Sequence, residues 1–196
     1  MYEVIAIANE FIARGQREGL RDLSAIKLHA LVYLVCCYWM ARGDAPPLRI
    51  HANREGVFLP DLREHGCWGT RRVANPVSVI EADTSSSPIL HELTPRLPAD
   101  HSSSQLIDWV WHSYRKRSAY ELSQHTREHG TPWDQVWNDP ARGAAESCEI
   151  PQKMLHRWFA EIIQQRLVAR HPETAAGSAS VLPGIMPQTS GQAAGI

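Results

Sequence analysis

The chain has 196 residues, 43% of them hydrophobic and 21% charged, the composition of an ordinary globular domain able to bury a core. A formal net charge of -1 and a pI near 6.8 exclude a global basic field, so nucleic acid is not an expected partner. Cys36, Cys37, Cys67 and Cys148 lack C-x-x-C spacing and two are adjacent in an apolar run, which points to reduced, buried thiols and away from a zinc knuckle or a disulfide framework.

The opening MYEVIAIANEF has neither the basic start nor the long apolar region of a signal peptide, so a cytoplasmic protein is expected. Val4, Ile7, Ala8, Phe11 and Ile12 recur at helical spacing, predicting an amphipathic helix that stops within GQREG, Gly15 to Gly19. A second helix is predicted from Asp22 or Ser24, either a good N-cap, to Arg42, with Gly43 as its stop. Its apolar centre, Ala30 to Ala41, is too short to cross a bilayer and reads as a helix buried on most sides. The two helices form an expected hairpin.

Pro46, Pro47 and Pro60 then break any long helix, leaving a short one around Pro60 to His65. Val77 to Ala82, VSVIEA, is the strand candidate, and the Ser- and Pro-rich Asp83 to Ser104 reads as a loop. Leu106, Ile107, Val110, Trp111 and Tyr114 predict one buried helical face. Met154, Leu155, Trp158, Phe159, Ile162 and Ile163 predict another, opened by Pro151. From His171 the composition turns to Ala, Gly, Ser and Pro without apolar periodicity, which predicts disorder. The expectation is a mainly α, compact helical domain over residues 1–170, with a helical hairpin at its start, a minor β element near 77–82 and a disordered tail over 171–196.

Chemistry concentrates in AYELSQHTREHGTPWDQVW, residues 119–137. Ser118 and Glu121 form a capping box, Gly130 fits the stop, and Thr131 with Pro132 opens a further helix. His125, Glu128 and His129 then fall on the last turns of a short helix, with two imidazoles one turn apart and a carboxylate beside them. That is the arrangement of the inverted zinc peptidases, so a zinc-dependent hydrolase using His125-x-x-Glu128-His129 is one reading. Against it, no acidic ligand stands out downstream beyond Glu146, Glu149 or Glu161, and a histidine near a helix C-terminus also serves the dipole. A Gly-rich phosphate loop and a supported Ser-His-Asp order are missing from the sequence, so catalytic residues, metals and cofactors are not expected.

Arg115, Lys116 and Arg117 read as a solvated helix end, and His29 as a hydrogen-bonded core histidine. Trp109, Trp111, Trp133, Trp137 and Trp158 fill a core first, while Trp133, at a loop–helix junction, is also a candidate partner contact.

Leu122, Ser123, Thr126, Gly130, Thr131, Pro132 and Trp133 resemble the L-S-x-x-T-H-x-x-G-[ST]-P-W signature of the Panacea family, also called SocA-like or phage-associated GepA-like proteins. IANEFIARGQREG followed by LSAIKLHALVYLVCCYWMARG is similar to that family's A-x-x-F-L-x-x-A hairpin leading into K-L-Q-K-L-L-Y. The resemblance spans Val4 to about Arg166. Where members carry Thr-His this chain has Thr126-Arg127, and where they carry Trp-x-x-Gly-Pro-Val it has His51-Ala52-Asn53-Arg54-Glu55-Gly56-Val57, which keeps a glycine and loses the tryptophan and proline. The resemblance implies an antitoxin that neutralises a toxin encoded nearby by direct protein contact, in one variant by handing it to a cytoplasmic protease. It makes Thr126, Arg127 and Trp133 the candidate partner-binding residues. A regulatory interaction protein of phage or mobile-element origin is the remaining alternative.

Overall fold

Burial of one long apolar helix organises the molecule. The structure, a computed structural model, describes residues 3–43, 48–82, 90–98 and 101–170. α1 (Glu3–Arg17) and α2 (Ala25–Ala41) form the expected hairpin, and every residue of α2 from Lys27 to Met40 is buried. An all-round apolar helix needs cover on every side, and α1, α4 (Ser104–Tyr114), α5 (Ala119–Thr126) and α7 (Gln152–Arg170) supply it. The fold is mainly α. Among the described residues no helix is long and apolar enough to cross a membrane.

The first helix ends at Arg17, inside the predicted stop of Gly15 to Gly19, and Gly15 lies buried in its last turn. A Cβ there would lie 3.2 Å from Leu23, so the missing side chain lets the inter-helix turn close over the core. Gly19, with φ of 65°, makes the actual turn. Ser24 caps α2 by accepting from Lys27 N–H, as predicted.

Lys27 itself is fully buried. Its Nζ donates to Asp22 Oδ2 at 2.8 Å and to the Arg115 carbonyl at 2.7 Å, tying the start of α2 to the C-terminal end of α4, where a cation complements the helix dipole. The neighbouring Arg115 pairs with Glu18 and Arg117 lies over the Tyr114 ring, so two members of the basic run are engaged with protein groups.

Two small sheets were only partly legible. β1 (His51–Asn53), β2 (Gly56–Phe58) and β5 (Ser147–Glu149) form an antiparallel sheet in the order β2-β1-β5, with His51 opposite Phe58 and Glu149. β3 (Val79–Ala82) confirms the predicted strand, but its partner β4 (Leu90–Leu93) lies inside the stretch read as loop. Leu-His-Glu-Leu is too short to show a period, and pairing with Val79–Ala82 decides it. Asn9, on α1, anchors the ladder. Its side-chain amide donates to the Val77 carbonyl at 3.0 Å and the Pro95 carbonyl at 2.9 Å, and its oxygen accepts from Val77 N–H at 2.7 Å.

The short α3 (Pro60–Glu64) matches expectation. α6 (Pro132–Trp137) leads into β5, and Leu155 and Phe159 of α7 close the core from below α2, Phe159 meeting Tyr33 and Tyr38 edge to face. The predicted tail over 171–196, and the prolines at 46 and 47, lie outside the described residues.

His29 is the core histidine expected. Its Nδ1 accepts from Leu59 N–H at 3.2 Å, which leaves Nε2–H to donate to the Cys67 carbonyl at 2.8 Å. Burial holds its pKa below the ordinary 6.5, against the bond to Cys67, with help from the nearby charge of Arg63. The unfolded chain therefore takes up a proton near pH 6.5 that the folded chain refuses, and stability falls as pH drops below that value. The slope from this residue is at most about 1.4 kcal/mol per pH unit. His51, also shifted downward by burial, adds in the same direction. Urea melts between neutral pH and mild acid should show the loss, and His29→Gln, which keeps a donor and an acceptor but gains no proton, should flatten it.

Candidate functional site

Residues 53–56 form a two-residue hairpin turn between β1 and β2, with Arg54 and Glu55 at its tip and Asn53 opposite Gly56. The Asn53 side chain accepts from the N–H groups of Glu55 at 2.9 Å and Gly56 at 3.1 Å, and Gly56 supplies the φ of 132° that closes the turn. This leaves three successive carbonyls pointing outward from the hairpin. Each is taken by a different side chain from the stretch singled out in the sequence. Trp133 Nε1–H donates to the Asn53 carbonyl at 2.9 Å, Arg127 to that of Arg54 at 3.0 Å, and Ser123 Oγ to that of Glu55 at 2.5 Å.

Local chemistry places those donors. Ser118 and Glu121 make the predicted capping box at the start of α5, and the bonds from Ser118 hold the Glu121 carboxyl below its usual range. At the other end Thr126 Oγ1 donates to the Ser123 carbonyl at 2.9 Å, and Thr131 Oγ1 lies 2.8 Å from the Glu128 carbonyl while accepting from Asp134 N–H to cap α6. Asp134 answers by accepting from Gly130 N–H at 2.8 Å, the main reason its carboxyl sits below the ordinary value. Gly130, at φ 82°, thus closes the turn into α6, not the end of α5.

The three candidate partner-binding residues are brought together, in unequal exposure. Thr126 is 4% and Trp133 7% exposed, while Arg127 is half-buried with its guanidinium 5.8 Å from the Trp133 ring centre. Gly56 completes the fit, since a Cβ there would stand 3.2 Å from Thr126 Oγ1. Thr126 and Trp133 therefore lie behind the turn, and the side chains outside it are Arg54 and Glu55, both exposed. Sequence reading missed those two because it missed the hairpin. The signal was present in Asn53 and Gly56 flanking two residues between apolar runs.

The histidine motif is arranged differently from expectation. α5 ends at Thr126, so Glu128 and His129 lie beyond it and the two imidazoles do not share a helical face. His125 is buried, with Nδ1 3.1 Å from Glu128, whereas His129 stands in solvent 3.0 Å from Asp134. The physical cause is the pair of threonine hydroxyls, which satisfy the last carbonyls of α5 and turn the chain one residue after Thr126. Among the described residues no group of three or more His, Cys, Asp or Glu side chains gathers in a way that could hold a metal ion.

Comparison with known proteins leaves the assembly without a counterpart: no family model, no curated protein and no solved structure matches this chain.

Proposed function

We propose that the protein is a non-enzymatic antitoxin, acting in the cytoplasm by direct contact with a toxin encoded beside it, and that the 53–56 turn is part of the contact surface. The observation that carries the reading is the capture of three consecutive turn carbonyls by Trp133, Arg127 and Ser123. A polar turn held this way presents Arg54 and Glu55 in one fixed geometry, and preorganisation of this kind favours partner recognition because little entropy is lost on binding. Ser123 and Trp133, two of the three residues that hold the turn, belong to the signature that resembles the Panacea family, and the third, Arg127, stands where this chain departs from it. The family's reading as a binding protein, in some cases a proteolytic adaptor, is the functional class that such an assembly suits. In this reading Thr126 and Trp133 act from behind, and Arg127 acts both as support and at the edge of the contact.

Co-expression with the product of the neighbouring open reading frame, scored for growth, tests the proposal. The double reversal Arg54→Glu with Glu55→Lys should leave stability within about 0.5 kcal/mol, since both side chains are exposed, and should abolish rescue. Ser118→Ala should cost about 1 kcal/mol through the lost cap and still rescue. Full rescue by the double reversal would remove the turn from the interface, and failure of the wild-type chain to rescue would remove the antitoxin reading itself.

A further inference from the structure

Among the described residues the large apolar side chains left in solvent are Trp68, Ile80, Leu90, Leu93 and Tyr120, and the first four fall between residues 68 and 93. In the β3–β4 ladder Ile80 stands opposite Glu92 and Ala82 opposite Leu90, so Ile80, Leu90 and Glu92 share one face. Val79, on the opposite face, is 1% exposed, while Ile80 and Leu90 are each 69% exposed, so the shared face looks outward. Neither strand has a second neighbour among the described residues. An open edge bearing an apolar row is a surface that folded proteins ordinarily cover.

Immediately before β3 the chain walls a groove of about 210 Å³, with Trp68, Arg71, Arg72 and His65 exposed along it and no carboxylate in its lining. The wall is preformed. Ala25 N–H donates to the Arg71 carbonyl at 2.9 Å, Val73 N–H to the Leu23 carbonyl at 2.8 Å, and Asn9 fixes Val77. A cationic groove with a tryptophan rim thus lies next to an apolar face that carries an acidic residue.

Two complementary features side by side on one chain are what a two-fold axis requires, since the ladder of each copy can meet the groove of the other. We propose that the protein forms a symmetric homodimer through this surface, with Ile80 and Leu90 of one copy covering Trp68 of the second and Glu92 meeting Arg71 and Arg72. The charge complementarity selects a second copy as the occupant. Two arginines neutralise too few phosphates to hold a nucleic acid, which would also leave the apolar row unmatched. The dimer is independent of the antitoxin reading.

Sedimentation equilibrium of the full chain at micromolar concentration should give a dimer. Arg71→Glu with Arg72→Glu in one variant, and Glu92→Arg in another, should each weaken self-association by about tenfold or more, with the helical circular dichroism unchanged because all three side chains are exposed on the single chain. Mixing the two variants restores opposite charges at both halves of the two-fold contact and should restore the dimer. A wild-type monomer, reversals without effect, or a mixture that stays monomeric would each overturn the proposal, as would loss of dimer in Tyr120→Asp with none in Ile80→Asp.

Discussion

Replacing Trp133 with alanine is expected to destabilise the protein by about 3–5 kcal/mol, the cost of emptying a buried indole site. Trp133 is 7% exposed, stacks at 5.9 Å on Trp137, lies under Arg127, and donates its N–H to the Asn53 carbonyl. Its loss removes packing and a hydrogen bond together and leaves a cavity behind the hairpin. A typical domain holds only about 5–15 kcal/mol in all, so the variant should fold marginally, with a melting midpoint lowered by roughly 10 °C. Trp133→Phe separates the contributions. The ring is retained in part while the Asn53 carbonyl loses its donor, so a loss of about 1–2 kcal/mol is expected. Equal losses in the two variants would mean that the hydrogen bond, not the packing, dominates. Under the proposed antitoxin function, the phenylalanine variant should weaken growth rescue more than its stability explains, because the turn would be held at two carbonyls instead of three.

The second large effect is expected at Asn9. Its side chain is buried and makes three bonds, to both backbone groups of Val77 and to the Pro95 carbonyl. Asn9→Leu is close in size, so it opens little space. It leaves those backbone groups without partners, at about 1–3 kcal/mol for each buried one, and a total of about 3 kcal/mol or more follows. The damage should be local before it is global. Amide exchange in β3 and β4 should speed up at denaturant concentrations where α2 remains protected, because Asn9 anchors the segment on each side of the ladder to the helical core. Uniform exchange across both regions would show that the ladder and the helices open as one unit. The same variant should weaken self-association, since the face carrying Ile80 and Leu90 depends on that anchor.

What the sequence by itself determined is the local helical structure. Ser24, Ser118 with Glu121, and Thr131 with Pro132 mark helix starts because a cap needs only residues within one turn of itself. The apolar run over Ala30 to Ala41 announced a helix buried on most sides, and His29 a core histidine, because burial leaves a compositional mark. The tertiary structure decided whatever depends on groups distant in sequence. β1 finds β5 across about a hundred residues, and β4 is a strand only because β3 lies beside it. The end of α5 belongs with these. Its pattern continued to His129, but the threonine hydroxyls close the chain at Thr126 so that Arg127 and Trp133 reach the 53–56 turn. The sequence pattern could not show that Ser123, Arg127 and Trp133 support a hairpin, because each carbonyl of that turn needs a donor, and only the folded chain brings these side chains within reach of them.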